Sequence, residues 1–171
     1  MALEHRISEL DTYLFAKGRH YEIYEKMGAH LAEEDGKAGT YFSVWAPNAR
    51  SVSVVGDFNN WDRTAHPMQP VQQSGIWDIF VPGVKAGDLY KFAVETSQGY
   101  TVLKADPYGN QSQLRPDNAS VVADIRYFDW TDQAWRKAHQ EKKTESPMAI
   151  YEVHPGSWKK HPQSEENEKG F

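Results

Sequence analysis

Trp61 closes the run Gly56-Asp57-Phe58-Asn59-Asn60-Trp61-Asp62, a loop of turn residues carrying one large indole that local periodicity does not assign to a core. A flat aromatic beside amide side chains suits a sugar ring. The axial C–H bonds of a glucose unit make an apolar face that packs on indole, while an amide such as that of Asn60 meets its hydroxyls. The same indole would serve equally to cap a sandwich edge, and composition alone fits both readings. Two carboxylates, Asp57 and Asp62, flank the loop, and a carboxylate pair is what glycoside chemistry needs. Both sit in turn sequence beside Gly and Asn, where aspartate usually bonds the backbone, so they read as structural. His66 has no partner at ligand spacing and reads as a satisfied or solvated histidine. No catalytic residue, metal ligand or cofactor motif is assigned.

Short strands must position this loop. In Tyr41–Ala46, Phe42, Val44 and Ala46 share one face and Tyr41, Ser43 and Trp45 the other, the period-2 pattern of a half-buried strand. Pro47-Asn48-Ala49-Arg50 breaks it into a turn, and Ser51–Val55 alternates again with Val52 and Val54 together. The two strands read as one hairpin of a β-sandwich. Ile76–Val81 follows, with Trp77, Ile79 and Val81 on the core face, and then Leu89–Glu95, with Tyr90, Phe92 and Val94 inward and Lys91 outward. Residues 101–107 end a strand at Asp106-Pro107, and Ala119–Asp124 supplies the last one.

Before the sandwich, Ile7, Leu10 and Leu14 lie on one face of a short helix that stops at Gly18, and residues 31–39 read as a polar link. After it, Asp129 or Thr131 caps a polar helix containing Trp135, a charged linker follows, and Pro147–His154 is a short apolar strand.

Composition narrows the function classes. The 171 residues, 39% hydrophobic and 13% aromatic, supply a core for one sandwich with extensions. There is no apolar run of membrane-spanning length and no secretory h-region at the start, and the chain contains 0 cysteines, so a cytoplasmic protein without disulfides or thiolate metal sites is expected. A net charge of −5 argues against a nucleic-acid surface.

The run Phe42-Ser-Val-Trp-Ala-Pro-Asn-Ala, followed by Val-Ser-Val-Val-Gly-Asp-Phe-Asn-Asn-Trp61, resembles the family-48 carbohydrate-binding module at the front of glycogen branching enzymes. Tyr13-Leu-Phe through Tyr24-Glu-Lys-Met-Gly-Ala-His30 is similar to the lead-in of that module in branching enzymes, and Leu103-Lys-Ala-Asp-Pro-Tyr108 is similar to its later part. Ala149-Ile-Tyr-Glu-Val-His154 with Pro155-Gly-Ser-Trp158 looks like the first strand of their catalytic (β/α)₈ barrel.

The resemblance implies an immunoglobulin-like antiparallel β-sandwich, all-β, with a short helical N-terminal arm and a C-terminal helix and linker. It implies an arm and link over 1–39, the sandwich over 40–126, helix and linker over 127–146, and the start of a truncated barrel over 147–171. Its glucan contacts map onto Trp61 as platform, Lys91 of Tyr-Lys-Phe as a donor to hydroxyls, and Asn118. A second stacking tryptophan falls near Gly99-Tyr100, where this chain offers the smaller ring of Tyr100. The implied partners are α-glucan and the barrel of the full-length chain, with no nucleic acid and no membrane. The resemblance implies a non-catalytic stretch, because the family's nucleophile and acid/base lie on later barrel strands. Two alternatives stay open: a non-binding sandwich that orients the barrel, and a regulatory glycogen sensor, which the arm and the Ala149–His154 strand count against.

Overall fold

The computed structural model describes residues 6–126, 129–140, 149–154 and 158. The chain divides into two compact units, Met1–Phe128 and Asp129–Phe171.

The first unit is an antiparallel β-sandwich, as expected. Its strands are β1 (Gly28–Glu34), β2 (Lys37–Trp45), β3 (Ser51–Gly56), β4 (Gln69–Pro70), β5 (Ile76–Pro82), β6 (Leu89–Glu95), β7 (Thr101–Lys104), β8 (Gln111–Ser112) and β9 (Ser120–Val121). One sheet runs β1-β2-β5-β4, and the other runs β3-β6-β9-β8 with β7 also on β6. Phe42 and Val44 of the first sheet meet Val52, Val54, Tyr90 and Phe92 of the second in one core, with Phe42 edge-on to Tyr90 at 5.0 Å. Inward alternation on both sheets produces this core, so the period-2 reading of these strands stands.

Two readings of the sandwich strands change. The strands flanking Pro47 do not form a hairpin: β2 pairs with β1 and β5, whereas β3 pairs with β6 in the opposite sheet. Alternation shows that both strands bury one face, but a turn that crosses between sheets meets that condition as well as one that folds back. The stretch read as aromatic turn and polar link contains β1, joined to β2 through Asp35 and Gly36, both at positive φ, between the paired Glu34 and Lys37. That is the geometry of a two-residue primed turn, which favours Asp-Gly.

The outer face of the first sheet is covered by the N-terminal arm. Ile7, Ile23, Met27, Val71 and Ile76 form a second core there, which is why Tyr41 and Ser43, on the face away from Phe42, are also buried. Helix α1 (Glu9–Ala16) starts at Ser8 in a capping box with Asp11 and ends in a Schellman motif, with Arg19 N donating to Leu14 O, Gly18 N donating to Phe15 O, and Gly18 at φ +64°. The helix buries Asp11 rather than the expected Leu10, which is 64% exposed. The Asp11 carboxylate explains the reversal: it accepts from Ser8 N (2.7 Å), Ser8 Oγ (2.7 Å), His20 Nε2 (2.8 Å) and Lys26 Nζ (2.5 Å), so a charged group replaces an apolar one as the anchor. Burial alone would raise its pKa, but Lys26, Ser8 and His20 outweigh burial and hold it far below the usual carboxylate range.

In the second unit, helix α2 spans Gln133–Gln140, with Trp135 stacked on His139 at 3.8 Å. Residues 149–154, expected as part of a strand, form none, and Ile150 and Tyr151 are exposed. The expected boundary at 146/147 lies outside the described residues.

Candidate functional site

The loop after β3 is built on Asn59. Its side chain is 9% exposed and bonds in four directions: Oδ1 accepts from Gly56 N (2.9 Å), and Nδ2 donates to Val54 O (3.1 Å), to His66 Nδ1 (2.9 Å) and, at the long limit, to Asp62 O (3.4 Å). Around this amide the backbone makes two consecutive left-handed steps, Asn60 at φ +53° and Trp61 at φ +60°. Asparagine tolerates that region, whereas an indole-bearing residue enters it at a cost of about 1–2 kcal/mol unless the surroundings enforce it. Trp61 N donates to Gly56 O at 2.9 Å and Asp62 N to Asn59 O at 3.0 Å, which folds the loop back onto the end of β3.

Trp61 is half-buried, and its Nε1 donates to Asp57 Oδ1 at 3.0 Å. With the indole N–H thus engaged, the ring has only its face to offer a ligand. Asp62 caps its own turn, accepting from Thr64 N and Thr64 Oγ1 at 2.8 Å each, and those bonds lower its pKa. Asp62 thus bonds backbone as read from the sequence, while Asp57 bonds the Trp61 indole instead. Asn60 is exposed and its side chain makes no hydrogen bond among the described residues.

Tyr90, Phe92 and Val94 point into the core, so Lys91, Ala93 and Glu95 face outward on the second sheet. The register places Val55 opposite Lys91 and Gly56 opposite Tyr90, so the Trp61 loop, tied to Gly56, lies at the Lys91 end of this face. Lys91 Nζ donates to Asn118 Oδ1 at 2.5 Å. The loop carrying Asn118 is closed by Gln113, whose N donates to Ala119 O at 2.8 Å and whose Oε1 accepts from Ala119 N at 3.3 Å. Lys91 and Asn118 are thus joined at one end of one sheet face, one register step from Gly56, after which the loop bearing Asn60 and Trp61 begins.

Tyr100 lies elsewhere. It sits in the turn beyond the Glu95–Thr101 pair, its carbonyl accepting from Thr96 N, five residues or about 16 Å further along the chain direction of β6 than Lys91. The position that shares the Lys91 face is Leu103, which pairs with Ala93 and is 42% exposed. The sequence reading did not single out Leu103 or Asn59, and it read His66 as a satisfied or solvated histidine, of which the bond to Asn59 makes it the first. No periodic signal in the sequence marks Leu103 or Asn59, and the place of Leu103 follows only from the observed register.

Residues 26–109 match the family Carbohydrate-binding module 48 (Isoamylase N-terminal domain). The 1,4-alpha-glucan branching enzyme GlgB of Butyrivibrio fibrisolvens is 51% identical over 162 residues, covering 94% of this chain and 25% of that protein. The enzyme of the same name from Protochlamydia amoebophila is 53% identical over 153 residues, covering 89% of this chain and 21% of that protein. The chain therefore spans about a quarter or less of the length of the curated relatives it matches. Among solved structures, a maltotriose complex of PulA from Klebsiella pneumoniae covers 67% of this chain and 12% of its own, at 28% identity and a TM-score of 0.49.

Proposed function

Residues 26–109 belong to the carbohydrate-binding module 48 family, and from that premise we propose that this chain is the α-glucan-binding module of a glycogen branching enzyme, with its contact face at Trp61, Lys91 and Asn118. The whole enzyme would transfer α-1,4-glucan segments to form α-1,6 branches in the cytoplasm, and this stretch would hold the polymer rather than cut it.

The observation that carries the reading is the Lys91–Asn118 bond beside the Trp61 loop. The ammonium spends one N–H on Asn118 Oδ1, which leaves two N–H groups on Lys91 and the amide NH₂ of Asn118 to meet sugar hydroxyls. Each partner fixes the other before a ligand arrives, so less rotamer entropy is lost on binding. The face of Trp61 supplies the apolar platform and Asn60 an unengaged amide beside it. One or two stacked rings and a few exposed hydrogen bonds supply about 4–5.5 kcal/mol, or a Kd of about 0.1–1 mM.

Calorimetric titration of maltoheptaose into the purified chain tests this. Binding in that range is expected, together with its loss in Trp61→Ala; a variant that binds as well as the parent would show that Trp61 is not the platform. A second reading, a sandwich that packs on the catalytic barrel and orients it, is favoured by the exposed Leu10, Tyr13, Tyr21 and Tyr24 of the arm. Absence of binding by the parent chain would leave that reading in place.

A further inference from the structure

We propose that His66 is a positioning residue for the Trp61 loop: its Nδ1 lone pair holds Asn59, Asn59 holds the left-handed Asn60–Trp61 step, and a proton on Nδ1 releases both. The proposal rests on the reading of Trp61 as a glucan platform and deepens it with a residue that need not touch the sugar.

The direction of the Asn59–His66 bond follows from the other partners of Asn59. Gly56 N–H is a donor, so the atom 2.9 Å from it must be the amide oxygen. Val54 C=O is an acceptor with no proton, so the atom 3.1 Å from it must be the amide nitrogen. That nitrogen has a second N–H, and at 2.9 Å it meets His66 Nδ1, which must then accept. A histidine accepting at Nδ1 is neutral, with its proton on Nε2. An imidazolium carries N–H at both positions and would set donor against donor.

The ring is held on its other sides. His66 O accepts from Val54 N at 3.1 Å, and the ring stands edge-on to Phe58 at 5.7 Å, which itself stacks on Phe42 in the core. A protonated His66 therefore has to break the Asn59 bond rather than swing aside with its backbone in place. The groups facing it are Phe58 and Asn59, which carry no charge, and Asp62, whose carboxylate favours the proton. Burial acts against the proton more strongly, and His66 titrates below the ordinary histidine value of 6.5. The sign follows: the unfolded or released loop binds the proton better than the closed one. The closed loop is favoured above pH 6.5 and loses ground as pH falls below it.

The test uses the full chain and maltoheptaose at pH 7.5 and 5.5. The parent is expected to bind about tenfold more weakly at the lower pH, the equivalent of one net hydrogen bond. His66→Asn puts an amide oxygen near the Nδ1 position, an acceptor that does not titrate, and is expected to bind equally at both values. His66→Phe keeps the ring and loses the acceptor, and is expected to bind weakly at both. Long-range ¹H–¹⁵N spectra of the parent without glucan give a second readout, which does not depend on any variant folding: at neutral pH Nδ1 should be the unprotonated nitrogen, and the Trp61 indole resonance should move with the His66 titration. Glucan affinity that is flat with pH in the parent, or a proton on Nδ1 at neutral pH, would overturn the proposal. If no glucan binds at any pH while the Trp61 signal still follows His66, the latch is supported and the glucan reading fails.

Discussion

Replacing Asp11 with alanine removes the anchor of the arm. The carboxylate, its side chain 10% exposed, accepts four hydrogen bonds from Ser8, His20 and Lys26. Bonds to a charged group contribute roughly 1.5–3 kcal/mol each, and breaking a buried ion pair typically costs about 3–5 kcal/mol. The Lys26 side chain is 32% exposed and recovers part of its hydration once its partner is gone, which brings the expected loss to about 2–4 kcal/mol. Urea unfolding followed by tryptophan fluorescence reads this as a midpoint lowered by about 1 M or more at unchanged slope. The effect also has a signed pH dependence. The folded-state pKa of Asp11 lies far below its ordinary value of 3.8, so its contribution is complete above that value and is lost as pH falls through the interval below it. The gap between parent and variant should therefore hold from pH 7 down to about that value and narrow as the pH falls below it. A loss under about 0.5 kcal/mol, or a gap that stays constant as the pH is lowered below that value, would refute the view that the charged bonds of Asp11 hold the arm.

Leu103→Trp puts an indole on the Lys91 face, next to Ala93, and is expected to tighten maltoheptaose binding by about fivefold to tenfold in calorimetry, worth about 1–1.4 kcal/mol of stacking. Asn60→Val forces a β-branched residue into φ +53° and should lower stability by about 1–2 kcal/mol, whereas Asn60→Gly should leave the melting temperature nearly unchanged; equal melting of the two would contradict the left-handed loop. Tyr90→Phe removes the hydroxyl that donates to Asp106 Oδ2 at 2.6 Å, with an expected cost of about 1–2 kcal/mol. Burial already raises the Asp106 pKa and the lost donor raises it further, so the cost in urea unfolding should be larger at pH 7 than at pH 4.

The sandwich was legible where one face of a strand is dry. Phe42 and Val44, Val52 and Val54, and Tyr90, Phe92 and Val94 alternate because the core alternates, and all of them are found in it. Sheet membership was not legible, because alternation is a property of one strand and pairing is a property of two. Strand β1 was hidden for a different reason: Gly28–Glu34 carries no clean alternation, being partly covered on both faces, and the Asp35-Gly36 turn was the only signal left. At the candidate site, Trp61 could be named from its residue type and the amides beside it, and Lys91 only through the resemblance, since an outward lysine on a strand otherwise reads as solvated charge. Asn59 and its bond to His66 could not be named either way, since an amide bonding Gly56, Val54 and a histidine seven residues on leaves no trace in periodicity. Tyr100 and Leu103 were separated by the length of the turn between β6 and β7, which only the observed register resolves.

The crossing at Pro47–Arg50 also governs how the domain can assemble. Only β1–β2 and β6–β7 close over short chain distances among the long ladders; Phe42 must find Ile79 and Val52 must find Val94 before either sheet has an interior. The sandwich cannot grow by adding one hairpin to the last, because β2 and β3, neighbours in the chain, each wait for a strand that arrives much later. Long-range closures of this kind slow folding and make it cooperative. A chain cut anywhere between β3 and β5 leaves β2 and β3 in one piece and their partners β5 and β6 in the other, so neither piece holds a complete sheet, and the two can regain the fold only by coming together.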